Sequence, residues 1–294
     1  MRVLVTGAGG MLAQDVVLAC VRAGHEPVAL SRRELDVSDG PAVTAALAGA
    51  RAEGLVNCAA WTDVDGAETH RAEAFAVNAA APGLLAAAAH EAGMAMVHVS
   101  SDYVFDGEGP GGAPESRPYR ESDPTDPLSV YGESKLAGEH EVLAVGGDHA
   151  VARSAWLFGV GGPNFVATML RLAGEQQTQG GPCQVRVVTD QVGSPTWTGH
   201  LAPALIGLLE RGVRGLVHLA GSGQVSWNGL AAETFRQAEI GCEVAPATTA
   251  EMGRPAPRPG FSALESERED VLPLPPWQDG LAGYLAARAG IMRA

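Results

Sequence analysis

Short apolar runs alternate with helical patterns through the first half of the chain. Val3–Thr6, Pro27–Leu30, Leu55–Cys58 and Met96–Ser100 have the length and composition of strands, and Met11–Arg22 has the apolar period of a helix. Strands that are apolar throughout and are separated by helices favour a parallel sheet covered on both faces. The pattern therefore predicts an α/β fold with a Rossmann-type doubly wound sheet.

A long helix and a long loop are predicted next. Arg71–Ala92 is helical by pattern, but Pro82 requires it to bend or restart, because proline lacks the N–H of a helix interior. We expect that this break leaves no apolar stretch long enough to span a bilayer. Gly107–Pro127 is rich in glycine and proline and is predicted to be a long loop beside the site.

Composition narrows the possible partners. The 294 residues are 46% hydrophobic, which is enough for one large domain or two modest ones. The net charge of −14 argues against nucleic acid and against an anionic membrane surface as partners. The chain starts with a strand-like run and shows no basic leader, and its four cysteines have no metal-ligand spacing. We therefore expect reduced thiols and a cytoplasmic location.

A glycine-rich turn joins the first strand to the first helix. Thr6–Ala13 has the sequence TGAGGMLA, in which Gly7 permits a tight turn and Gly10 lets a pyrophosphate approach the backbone. The helix then begins at Met11 and Leu12, where unpaired N–H groups face the anion. Because strand, turn and helix follow in this order, the motif predicts dinucleotide binding rather than a turn that only ends a strand.

The ends of the second and third strands supply further cofactor candidates. Ser31 followed by Arg32 suits the extra phosphate of NADP, whereas an acid at this place would bind the ribose hydroxyls of NAD. Arg32 and Arg33 as solvated charges, and Glu34 as a nearby carboxylate, remain alternatives. NADPH is favoured, with NADH possible. The residues expected to line the same crevice are Asp36, Val37, Ala59 and Ala60.

The catalytic candidates are a tyrosine, a lysine and a serine. Tyr131 and Lys135 are four residues apart at the start of a predicted helix, so both side chains can point into one cleft. Ser101 ends the fourth strand, at the edge where open parallel sheets bind ligands. In ketone reduction, Tyr131 would protonate the carbonyl oxygen while Ser101 orients it. Lys135 would lower the phenol pKa from about 10 and hold the cofactor ribose.

These motifs divide the chain into two parts. Residues 1–158 are predicted to form the NAD(P)-binding Rossmann domain, with returning segments within about 184–222. Residues 159–294 are predicted to form mainly a smaller α/β substrate-binding lobe.

The motifs resemble those of the extended short-chain dehydrogenase/reductase family over essentially the whole chain, and several are typical of its keto-sugar reductase branch. The matching segments are Asn57–Thr62, Val64–Asp65, Ser100–Gly107, Tyr131–Lys135, Arg153–Trp156, Asn164–Phe165, Thr168–Arg171, Asp190–Thr196 and Arg258–Ser262. The resemblance implies NAD(P)H-dependent reduction of the 4-keto group of a dTDP-linked 6-deoxyhexose by Ser101, Tyr131 and Lys135. It adds Trp61 and Asn78 to the cofactor site, which Tyr131 and Lys135 also contact.

The resemblance also implies a set of contacts to the nucleotide sugar: Thr62, Val64, Tyr103, Trp156, Asn164 and Arg258. For three of them a structural role remains an alternative. Trp156 could be a core aromatic at a strand end, Asn164 could cap the following helix, and Tyr103 could pack in the base of the loop.

Several departures from the family pattern and several alternative functions stay open. Ser101 stands where threonine is usual, and Ala13 holds the third glycine position. Some members of the family bridge a homodimer with Mg²⁺, and a homodimer is possible here. The single carboxylate of Asp15 does not establish a metal site, so none is assigned. A dehydratase would need a glutamate after Asp102, and an epimerase usually lacks that acid. A non-catalytic subunit, like the regulatory subunit of methionine adenosyltransferase, would not need all three catalytic residues.

Overall fold

The computed structural model of the protein describes residues 1–112, 117–178 and 182–292, so parts of the predicted loop and lobe lie outside the described residues. The helices are α1 (Met11–Arg22), α2 (Gly40–Ala50), α3 (Val64–Ala67), α4 (Arg71–Phe75), α5 (Ala81–Glu91), α6 (Val130–Val145), α7 (Phe165–Thr178), α8 (Thr198–Arg211), α9 (Trp227–Gln237), α10 (Thr249–Met252) and α11 (Trp277–Met292). The strands are β1 (Arg2–Thr6), β2 (Glu26–Leu30), β3 (Gly54–Asn57), β4 (Ala95–Ser101), β5 (His149–Ser154), β6 (Leu157–Phe158), β7 (Gln184–Val188), β8 (Val192–Gly193), β9 (Thr196–Trp197), β10 (Gly215–His218), β11 (Gly221–Ser222), β12 (Val225–Ser226), β13 (Glu243–Ala247) and β14 (Leu274–Pro276).

A six-stranded parallel sheet with the order β10-β5-β4-β3-β1-β2 forms the centre of the fold. Its inner strands are apolar on both faces because both faces are covered by helices. One face packs against α1 and α8, and the other against α2, α5 and α6. The chain order reverses between β1 and β3, which puts a crevice at the carboxyl edge of the sheet. The predicted Rossmann-type α/β class is confirmed.

The predicted long helix is continuous but not regular. A π-helical turn over Ala76–Ala80 joins α4 to α5 directly before Pro82. Pro82 has no N–H for the Asn78 carbonyl, and that carbonyl lies so near Gly138 that a Cβ there would be 2.0 Å from it. The expectation that no apolar stretch could span a bilayer was wrong, because Arg71–Glu91 meets the requirements of length and composition for crossing one. Half of its most apolar segment is buried inside the protein, as in a core helix of a globular fold.

The second half of the chain builds a lobe around a parallel pair of strands. β7 and β13 pair in register from Gln184 to Val188, and α7 and α9 pack on them. The residues that precede the two strands, Cys183 and Cys242, form a disulfide, so the expectation of reduced thiols was wrong for these two. Cys20 and Cys58 are free. The disulfide could not be predicted from local patterns, because 59 residues separate the two cysteines along the chain.

Candidate active site

The catalytic candidates meet at the carboxyl edge of β4. Ser101 ends β4, and Ser129 caps α6 by accepting the N–H of Gly132 at 3.2 Å. A Cβ on Gly132 would lie 2.2 Å from the Tyr103 carbonyl oxygen, so a glycine lets α6 start directly against the turn that follows β4. This close approach brings Tyr131, in the first turn of α6, beside Ser101.

Burial controls the protonation of Tyr131. It raises the pKa of the phenol to about 12, although the neighbouring Ser101 hydroxyl lowers it. The expectation that Lys135 lowers this pKa is wrong for this structure. The Nζ of Lys135 donates to the Val99 carbonyl at 2.7 Å, and burial lowers the lysine pKa itself to about 8, partly opposed by Glu139. The phenol is therefore protonated at neutral pH, as a proton donor must be.

Asp102 is a site residue that the sequence analysis did not assign. It is 2% exposed, and its carboxylate accepts the hydroxyl of Ser101 at 3.0 Å and that of Ser262 at 2.6 Å. Burial raises the Asp102 pKa to about 6, while the two hydroxyl groups lower it. The carboxylate thus joins Ser101 to the Arg258–Ser262 motif. An acid directly after a strand-end hydroxyl was the signal that could have found it.

A buried ion pair lies beneath the catalytic residues. Glu139 stands one helical turn after Lys135, and its carboxylate accepts two Arg153 N–H groups at 2.6 and 2.9 Å. The exposed fractions of the two side chains are 2% and 4%. Ser100 donates to the same carboxylate at 2.5 Å, and Arg153 approaches His218 Nε2 at 3.4 Å. This network fixes the end of β4 and the face of α6 that carries Lys135.

The glycine turn has the geometry predicted for a dinucleotide. Gly7 has φ of 72°, and a Cβ on it would lie 2.7 Å from the backbone nitrogen of Ala59. Gly10 is the N-cap of α1 and offers no side-chain acceptor to the first turn, which leaves the helix N-terminus open to an anion. The Leu12 side chain is buried in the core, so only its backbone can contact a cofactor, whereas Met11 is partly exposed.

The end of β2 carries a carboxylate at the predicted phosphate position. Glu34 accepts both the N–H and the hydroxyl of Ser31, at 2.8 and 2.7 Å, and these bonds lower its pKa. Arg32 is exposed. Asp36 is exposed and bonds Ser38, which lowers the Asp36 pKa. The Val37 side chain is buried in the core, so its backbone is the part that can face an adenine.

Asn78 holds the backbone of Trp61 in place. Its side chain accepts the Trp61 N–H at 2.8 Å and donates to the Trp61 carbonyl at 3.1 Å and to Ser134 at 3.0 Å. Asn78 is fully buried, so in this arrangement it shapes the segment that continues from Ala59 and Ala60. Its predicted cofactor contact stays a prediction.

Arg258 and Tyr103, two of the predicted substrate contacts, are hydrogen-bonded to each other. Arg258 forms a bidentate ion pair with Asp65, at 3.0 and 2.9 Å, which lowers the Asp65 pKa to about 2. The same guanidinium hydrogen-bonds Tyr103, whose ring lies edge-on to Tyr131 at 5.3 Å. Burial raises the Tyr103 pKa. Asp65 belongs to α3, which begins at the predicted contact Val64 just after the exposed Thr62.

Asn164 takes the capping role that the sequence left open. Its side chain accepts the Ala167 N–H at 2.8 Å and donates to the carbonyls of Gly159 and Gly162 at 2.7 and 3.1 Å. Trp156 lies beyond β5 and is partly buried between two hydrophobic clusters. Whether either residue contacts a substrate stays a prediction.

The carboxylate considered for a metal, that of Asp15, already has a hydrogen-bond partner. The carboxylate of Asp15 accepts the hydroxyl of Thr198. Within the ranges that the structure describes, no group of three or more His, Cys, Asp or Glu side chains could hold a metal ion.

Comparison with known proteins places the chain among reductases of nucleotide-linked sugars. The family model described as the RmlD substrate binding domain matches residues 1–289. A dTDP-4-dehydrorhamnose reductase of Streptomyces griseus is 43% identical, over 98% of this chain and 94% of that protein. A dTDP-4-keto-6-deoxy-D-glucose reductase of Streptomyces niveus is 42% identical, over 80% of this chain and 78% of that protein. The crystal structure of dTDP-4-dehydrorhamnose reductase from Bacillus anthracis, in complex with NADP, superposes with a TM-score of 0.90 at 31% identity, covering 97% of this chain and 99% of that one.

Proposed function

The chain belongs to the family whose model is described as the RmlD substrate binding domain, and we propose that it reduces dTDP-4-dehydro-L-rhamnose to dTDP-L-rhamnose with NADPH. The observation that carries this proposal is the partly buried, protonated Tyr131 beside Ser101, at the carboxyl edge of the sheet that also carries the glycine turn after β1. It supports a ketoreductase because reduction of a carbonyl needs one proton donor next to a hydride source.

The chemistry divides between cofactor and protein. When bound, the reduced nicotinamide supplies the hydride that adds to the carbonyl carbon. Tyr131 holds its proton on Oη until the carbonyl oxygen gains charge, and then donates it, so that a ketone becomes a secondary alcohol. The Ser101 hydroxyl, which donates to Asp102 in the structure, would turn to donate to the same oxygen and orient it. Lys135 is held by the Val99 carbonyl and adds positive charge beneath the site.

The cofactor site is proposed from the same geometry. The N-terminus of α1, the Ser31–Arg32 pair and the Ala59–Trp61 segment would bind NADPH within residues 1–158. Residues 159–294 would hold mainly the sugar, with segments within about 184–222, such as β10, returning to the first domain. NADH remains possible because the Glu34 carboxylate stands at the predicted phosphate position. A cytoplasmic location and a homodimer also remain predictions.

A second dTDP-linked 4-keto-sugar is the main alternative substrate. The relative from Streptomyces niveus, named dTDP-4-keto-6-deoxy-D-glucose reductase, is nearly as similar as the first. Elimination of water is less well supported, because Asp102 is followed by Tyr103 and its carboxylate is already bonded to two hydroxyl groups. A regulatory subunit would bind the nucleotide but would oxidise no cofactor.

The test follows cofactor oxidation with purified protein and dTDP-4-dehydro-L-rhamnose generated in situ, first with NADPH and then with NADH. We expect loss of absorbance at the reduced-nicotinamide band and formation of dTDP-L-rhamnose. Tyr131→Phe is the matched control, because it removes only the donated proton. If neither cofactor is oxidised although both bind, the rhamnose assignment is refuted. The same assay with dTDP-4-keto-6-deoxy-D-glucose tests the alternative substrate.

A further inference from the structure

Trp156 has a backbone conformation that needs support from its surroundings. Its φ is 49°, in the left-handed region that costs a side chain of this size about 1–3 kcal/mol. Residues in such conformations concentrate at ligand-binding sites, where neighbouring groups determine them. Ser154, two residues earlier, pairs in register with Ser101. The strained residue therefore lies two residues beyond the register partner of Ser101, at the carboxyl edge of the sheet.

Trp227 covers one face of the Trp156 ring. The two ring systems are stacked, with centroids 3.5 Å apart and an interplanar angle of 3°. Trp227 comes from the start of α9, far along the chain, and it is itself fixed. Its Nε1 donates to Gln191 Oε1 at 3.1 Å, and Phe165 packs against it with a centroid distance of 4.5 Å. Gln191 is only 7% exposed, so this hydrogen bond is shielded from water.

Gly193 borders the same ring from another direction. A Cβ on Gly193 would lie 2.4 Å from Trp156 Cε2, which no side chain could tolerate without displacing the indole. Gly193 is not in a left-handed conformation, so backbone freedom does not explain the glycine. The space for the Trp156 ring explains it.

We propose that Trp227 is a positioning residue, which holds the Trp156 indole in the orientation that meets the sugar of the substrate. This inference rests on the proposed function for the place of the sugar. A 6-deoxyhexose presents an apolar edge formed by its C–H groups and its methyl group, and a flat, rigid indole is a suitable surface for it. Trp227 contributes by stacking on Trp156, and Gly193 by leaving the ring its space.

The test substitutes Trp227 and Gly193, the two neighbours of the Trp156 ring, and follows the position of the ring by a spectroscopic signal that does not depend on activity. Two stacked indoles give an exciton couplet in the far-ultraviolet circular dichroism of the free enzyme, and Trp156→Phe assigns it. We expect Trp227→Leu to abolish the couplet and Gly193→Ala to weaken it. In both variants KM for the keto-sugar should rise roughly 3- to 10-fold, which is the worth of one aromatic contact. Because the loss concerns binding, kcat and KM for NADPH should stay within twofold.

Two further variants separate positioning from packing. Trp227→Phe keeps a flat ring over Trp156 and should retain a KM near that of the wild type. Trp277→Phe removes a buried indole that lies outside the stack and should leave both the couplet and KM unchanged. Folded Trp227→Leu and Gly193→Ala proteins with the KM of the wild type would overturn the positioning role.

Failure of the proposed function gives a different pattern. A wild type that does not turn over the keto-sugar but shows the couplet refutes the reductase assignment. Titration of dTDP-L-rhamnose into the same proteins then decides the positioning role by affinity. A weaker affinity in both variants supports it, and equal affinities, or no binding by the wild type, overturn it.

Discussion

Replacing Glu139 by glutamine would leave a buried arginine without its counter-ion. In the structure the Glu139 carboxylate accepts two N–H groups of Arg153 and the hydroxyl of Ser100. Glutamine has nearly the same shape, so the cavity stays filled and the perturbation is mainly the lost charge. Its amide N–H₂ group would also oppose one of the Arg153 donors, which cannot accept a hydrogen bond.

The size of the effect follows from burial. Both side chains are at most 4% exposed, so water cannot solvate Arg153 after the substitution. Removal of one partner from such a pair typically costs about 3–5 kcal/mol. Function should change as well, because Glu139 opposes the lowering of the Lys135 pKa by burial. Without Glu139 that pKa falls further below about 8, and the lysine-dependent limb of the rate profile should move to lower pH.

Urea unfolding at pH 7 measures the stability part of this prediction. Glu133→Gln is the matched control on the same helix, because Glu133 pairs with Arg71 at 2.6 Å while their side chains are 40% and 57% exposed. An exposed pair of this kind contributes about 0–1 kcal/mol. If Glu139→Gln destabilised the protein no more than the control does, the argument from desolvation would be refuted.

Three other outcomes follow from single contacts. Gly107→Ala should lower the free energy of unfolding by more than about 2 kcal/mol. About 1–2 kcal/mol comes from the left-handed conformation of residue 107. The rest comes from the new Cβ, which would lie 2.4 Å from the Pro259 Cα. Gly111→Ala is also at positive φ, and a Cβ there would have no tertiary neighbour within 4 Å among the described residues, so it should show only the conformational part. Glu34→Gln should increase the preference for NADPH over NADH in kcat/KM, because it removes a negative charge from the predicted phosphate position; an unchanged ratio argues against that position. Asp102 has a raised pKa of about 6, so the fold favours its protonated form. Wild-type stability should therefore fall relative to Asp102→Asn as pH rises from about 4 to 6, and parallel stability curves would contradict this.

Local patterns predicted the first half of the fold well. Helix α1 has the predicted bounds, Met11–Arg22, because it begins and ends at local signals. The sheet was also predictable, since apolar strands alternating with helices allow few arrangements. The π-helical turn before Pro82 was not predicted in that form. A proline fixes where a helix is disturbed, but the packing of Asn78 against Gly138 decides how.

Contacts between distant residues could not be predicted from local patterns. The pairing of β7 with β13 and the disulfide at its start join segments about 60 residues apart, with no periodic signal in either to identify the other. The ion pair between Asp65 and Arg258 spans 193 residues. Both residues were in motifs that the resemblance singled out, yet the motifs alone gave no indication that the two side chains bond each other.

The identity of the proposed catalytic groups could be predicted from the sequence, but their pKa values could not. The order of motifs was enough to propose Ser101, Tyr131 and Lys135 as catalytic residues, because residue type and spacing are properties of the sequence. The pKa of Tyr131 is not such a property, since burial in the folded structure raises it. Asp102 shows the same dependence, because its partner Ser262 arrives from the end of the chain. A Rossmann domain without the Arg258–Ser262 motif would therefore keep Ser101, Tyr131 and Asp102 but lose the hydroxyl that bonds the Asp102 carboxylate.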